Sequence, residues 1–127
     1  MGKNYRPIRA FHLAVFILAI ISILLTLLSM KGENLFIFII SALIVFITFI
    51  WSIVSIAIFL KEKYPKKVLV LPIYYLASFL FMVILSFILA ANGVILDTTT
   101  IGWTIFFILS SIFEASYAYY ILKAFPK

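Results

Sequence analysis

Glu114 is the one acidic side chain in the sequence that falls inside a long apolar stretch, and a carboxyl in that position is the main candidate for chemistry. It lies about eight residues before the stretch ends, which at 1.5 Å per helical residue is roughly 12 Å below the boundary. Counting depth along the neighbouring apolar stretches brings Ser52, Tyr75 and Ser78 to about the same level, while Ser110 and Tyr117 lie on the helical face of Glu114 itself. Hydroxyls around a carboxyl at that depth replace the hydrogen bonds of water. Two uses follow from the same residues. Glu114, Ser52, Tyr75, Ser78, Ser110 and Tyr117 form a proton or cation site, or Glu114 is a hydrogen-bonded glutamate that fixes helix register.

His12, the single histidine, invites a proton relay with Glu114. Depth counting puts it roughly 3 Å below the boundary, with some 9 Å separating the two, so it reads as a solvated flank residue beside Arg9. Glu33, Glu62, Asp97 and Glu114 are too scattered for a metal site, and the absence of cysteine excludes disulfides, thiolate zinc and iron–sulfur centres. The sequence holds no nucleophile–base pair and no phosphate loop, so no catalytic residue, metal or cofactor is assigned and a non-enzymatic role is expected.

Composition supplies the setting for these residues. The chain has 127 residues, 67% of them hydrophobic and 11% charged, against roughly a quarter charged in a soluble domain. A fold of this size cannot enclose so much apolar surface, so its solvent is expected to be lipid. Apolar runs at about 11–30, 35–60, 68–91 and 101–122 each reach the roughly 20 residues that span a bilayer. Alternating strand patterns are missing from all of them. The expected fold is an all-α membrane protein, a single domain of four transmembrane helices in an up-down-up-down bundle. The first run is read as an uncleaved helix, since it lacks a small-x-small cleavage signal, and Met1-Gly2 lacks the context of a myristoylation site. Pro72 falls in the first turn of the third helix, where it costs little.

Charge gives the helices a direction. Lys3, Arg6, Arg9, Lys61, Lys63, Lys66, Lys67, Lys123 and Lys127 flank one side of the spans, and Lys31 alone flanks the other. The positive-inside rule then places both termini and the middle connection in the cytoplasm, with the Gly32 and Gly93 turns outside. Tyr5, Tyr64, Tyr119 and Tyr120 near one boundary and Trp103 near the other suit the headgroup region. Lys61, Lys63, Lys66 and Lys67 are expected to meet lipid headgroups. The net charge of +6 is split into short patches between apolar runs, which argues against nucleic acid as a partner. Abundant Ile and Phe, with Lys exceeding Arg, fit a prokaryotic cell membrane.

Each span also carries one seam of small or polar residues. Ser22, Thr26 and Ser29 mark the first, Ser41, Thr48, Ser52 and Ser55 the second, Tyr75, Ser78 and Ser86 the third, and Ser110, Glu114 and Tyr117 the fourth. Such seams let helices pack closely, or line a polar path. In length and span count the chain resembles small four-span multidrug transporters and fluoride channels. It lacks the first-span glutamate of the former and the glycine-rich arginine segment of the latter. The expected role is a non-catalytic accessory or assembly subunit, or a homo-oligomer, with other membrane subunits or further copies as partners. The alternative is a small transporter or channel component that uses Glu114.

Overall fold

The computed structural model describes residues 5–29, 31, 35–93 and 101–126. Lys3, Gly32, Glu33, Asp97 and Lys127 lie outside the described residues, as does the side chain of Trp103. Four long helices make up nearly all of what is described: α1 (Arg6–Ser29), α2 (Leu35–Lys61), α3 (Val70–Ala91) and α4 (Ile101–Ala124), with a short 3₁₀ turn at Lys66–Leu69 leading into α3. At 22 to 27 residues they are about 33 to 40 Å long, enough for the roughly 30 Å of a hydrocarbon core. All four are long and apolar enough to cross a membrane, consistent with a multi-pass membrane protein.

The first helix begins five residues before the apolar run does. Arg6, Pro7 and Arg9 read as flank in the sequence, yet they form its opening turns. Proline is tolerated there because the first backbone N–H groups of a helix have no intrahelical partner. Extending α1 in this way changes the setting of His12, which is fully buried and not a solvated flank residue. Its ring stacks 6.5 Å from that of Phe59, with Phe11 at 5.3 Å edge-on.

Burial is concentrated at one end of the molecule. Ile8, Phe11, His12, Val15 and Ala19 form the buried face of α1, and Ile8, Phe11 and Val15 join Phe59 of α2, Val68 of the 3₁₀ turn, Leu71 of α3, Ala118 and Ile121 of α4, and Phe125 just beyond it. Ala19 and Ala118, both buried, give close approach between helices, which drives packing where lipid removes the usual hydrophobic gain. The α2–α3 corner is tied to the same cluster by a Schellman turn. Lys63 adopts a left-handed φ of 54°, Lys63 N–H donates to the Leu60 carbonyl at 3.2 Å, and Tyr64 N–H donates to the Phe59 carbonyl at 3.1 Å. The Tyr64 ring then packs 5.9 Å from Phe59, the apolar contact such a turn calls for, and Pro65 blocks further helix.

Contacts are uneven around the bundle. Helix α1 packs along α4 and against α2, and α2 packs on α3, but α3 meets α4 over only a short stretch. The α3–α4 seam is therefore open along most of its length. Outward-facing apolar side chains such as Leu24, Phe46, Leu80, Phe87 and Leu109 are exposed, as expected of helices whose solvent is hydrocarbon.

Candidate functional site

Two tyrosines in the second turn of α3 make the short contact with α4. The Tyr75 hydroxyl donates to Glu114 Oε1 at 3.0 Å, and one residue earlier the Tyr74 hydroxyl shares a short hydrogen bond with Ser110 Oγ. Ser110 and Glu114 are four residues apart on α4, so adjacent tyrosines on α3 engage one turn of its surface. Tyr74 also packs 5.0 Å from the ring of Phe113. Tyr75, Ser110 and Glu114 are all half-buried. Beside them, Tyr74, Phe106, Leu109, Ser110 and Phe113 line an open lateral cleft of about 330 Å³.

Ser52, Ser78 and Tyr117 do not join this group. Ser52 is fully buried, and its hydroxyl donates to the Thr48 carbonyl of its own helix at 2.6 Å. Thr48 in turn donates to Ile44 and Val45 carbonyls, and Thr26 and Ser29 bond back along α1 in the same fashion. Ser78 is half-buried on α3, one turn beyond Tyr75, without a hydrogen bond to Glu114. Tyr117 reaches the other way: its hydroxyl donates to the Lys67 carbonyl at 2.7 Å and pins α4 to the α2–α3 corner.

Two features of the site were not signalled by spacing. The Tyr74–Ser110 bond depends on the angle at which α3 crosses α4, which the sequence does not encode locally. Arg9 is the other. Its Nη1 donates to the carbonyls of Leu122 at 2.9 Å and Phe125 at 2.7 Å, capping the end of α4 from α1. The last carbonyls of a helix lack intrahelical partners and carry partial negative charge, so a guanidinium there satisfies both needs.

His12 completes the polar inventory. Its Nδ1 hydrogen-bonds with the Ile8 carbonyl at 2.8 Å, and Nε2 is buried without a partner. For Tyr64, outside the spans, burial pushes the hydroxyl above the usual tyrosine range, and the Glu62 carboxylate adds to the shift. Among the described residues no three His, Asp or Glu side chains come together in a way that would hold a metal ion. Comparison with family models, curated proteins and solved structures finds no match to this chain.

Proposed function

We propose that this is a non-catalytic assembly subunit of the membrane, an up-down-up-down bundle with both termini and the α2–α3 corner in the cytoplasm of a prokaryotic cell. Its α3–α4 seam is the face that a helix of another chain covers. The observation that carries this reading is the open seam itself, with Tyr74, Tyr75, Ser110 and Glu114 grouped beside a cleft of about 330 Å³. Hydrocarbon offers no hydrogen bonds to such groups, whereas a neighbouring helix offers donors, acceptors and close packing. The in-helix bonds of Thr26, Ser29, Thr48 and Ser52 favour packing seams over a continuous polar path.

The chain has no cysteine, so single-cysteine crosslinking is clean. Leu109→Cys, exposed at the cleft, is expected to give a discrete crosslinked species in native membranes, while Ile53→Cys on α2 gives none. Intact mass then tells a second copy from a different subunit. Equal, uncrosslinked labelling of both positions by a lipid-soluble maleimide refutes the reading.

A second reading has one observation in its favour. The Tyr75–Glu114 hydrogen bond holds a carboxyl at the seam, as a transporter or channel component would need for a proton or cation. Proteoliposome flux lost in Glu114→Gln supports it, and flux unchanged in that variant rejects it.

A further inference from the structure

The end of the bundle where the core is densest also gathers the basic residues. Arg6 and Arg9 come from α1, Lys61, Lys63, Lys66 and Lys67 from the end of α2 and the corner, and Lys123 from α4, with Glu62 the single acid beside them among the described residues. In the sequence these are three separate patches that charge bias assigns to one side of the spans. The fold joins them: Tyr5 packs 5.0 Å from Phe125 and 6.2 Å from Tyr64, and Tyr117 ties α4 to Lys67.

Lys67 of the corner and Lys123 of α4 are both held against aromatic rings. Lys67 Nζ sits 5.2 Å from the Phe125 ring and 5.8 Å from that of Tyr120, and Lys123 Nζ sits 5.2 Å from the Tyr119 ring. Tyr119 and Tyr120 are half out of the bundle, so aromatic rings and ammonium groups form one rim at the end of four apolar helices. Amphipathic rings settle at the boundary of acyl chains and headgroups, and an ammonium held against a ring at that level stands where lipid phosphates lie. We propose that this rim is a binding surface for anionic phospholipids, selecting them over zwitterionic ones. A soluble polyanion is a poorer fit, because the rim borders lipid-facing helix surface on which acyl chains can lie while the phosphate meets Lys67 and Lys123.

The experiment uses the full chain in phosphatidylcholine vesicles that contain a trace of spin-labelled phosphatidylglycerol or spin-labelled phosphatidylcholine. The motionally restricted fraction reports relative association with the protein. Phosphatidylglycerol is expected to be preferred at low salt, and the preference to shrink in 1 M NaCl. Lys67→Gln with Lys123→Gln is expected to lower it by up to about fivefold per charge removed. Lys31→Gln, at the other end of α1, serves as the control and leaves it unchanged. Equal association of the two lipids with the wild-type protein overturns the proposal, as does a preference that survives both high salt and the double substitution. The wild-type salt series decides the matter even where the double variant fails to fold.

Discussion

Replacing Arg9 by methionine is expected to loosen α1 from α4, the most extensively packed pair in the bundle. The guanidinium Nη1 makes two hydrogen bonds across this interface, to Leu122 O at 2.9 Å and Phe125 O at 2.7 Å. A hydrogen bond with a charged partner contributes about 1.5–3 kcal/mol, and a cation at a helix C-terminus about 0.3–1 kcal/mol more. Arg9 is only half-buried and one nitrogen serves both carbonyls, so the low end applies and the loss is about 2–3 kcal/mol. Methionine retains the aliphatic stem, which confines the change to the lost donors. Lysine keeps the charge near the α4 terminus but cannot reproduce the planar fork, and Arg9→Lys is expected to lose about half as much. Equilibrium unfolding in mixed detergent micelles, followed by tryptophan fluorescence, gives the comparison; Trp51, itself exposed, lies edge-on 6.1 Å from the core residue Phe11 and reports on loss of that packing. Stability of Arg9→Met within about 0.5 kcal/mol of wild type would refute the capping role, since the loss predicted for even one charged hydrogen bond exceeds that.

Other substitutions probe different parts of the fold. His12→Leu is expected to be neutral or to stabilise by up to about 1 kcal/mol in the same unfolding assay, because it removes a buried Nε2 that has no partner. A clear loss would mean that the Nδ1 bond to the Ile8 carbonyl and the stack on Phe59 outweigh the unpaired nitrogen. Gly93 closes α3 with a left-handed φ of 78°, its N–H donating to the Ala90 carbonyl at 3.0 Å, and an added Cβ would meet nothing within 4 Å. Gly93→Ala is therefore expected to cost about 1 kcal/mol through backbone conformation alone, with Gly93→Asn milder, and equal stability of all three would show that the turn relaxes.

The four helices were legible because span length and apolarity are properties of a single segment, and each segment satisfies them alone. Boundaries were less so. Arg6 and Arg9 look like flanking charge until α4 is beside them, where Arg9 becomes a cap for carbonyls 113 and 116 residues away in sequence. His12 shows the same gap between depth and environment. Distance along a helix axis places it near a boundary, but the ring is fully buried against Phe11 and Phe59, and Phe59 comes from another helix.

Depth counting has a matching strength and weakness at the polar seam. It brings Ser52, Tyr75, Ser78 and Glu114 to one level, yet it gives no direction around each helix axis. Tyr75 turns to Glu114, while Ser52, on α2, faces the core and bonds Thr48 of its own helix. The asymmetry of the bundle follows from where the aromatic residues lie. Tyr5, Phe11, Phe59, Tyr64 and Phe125 lock α1, the α2–α3 corner and α4 together at one end, with edge-on and tilted ring contacts between 5.0 and 6.3 Å. Between α3 and α4 the ring contact runs through Tyr74 and Phe113, close to the same end of the bundle. Beyond Tyr74 and Tyr75, α3 turns outward residues such as Leu80, Phe81, Ile84 and Phe87, side chains suited to lipid or to another apolar helix. A bundle clamped at one end and open along one seam can receive a neighbouring helix there without first breaking its own core, which is the physical reason the α3–α4 face, and not the α1–α4 face, is the one to test for assembly.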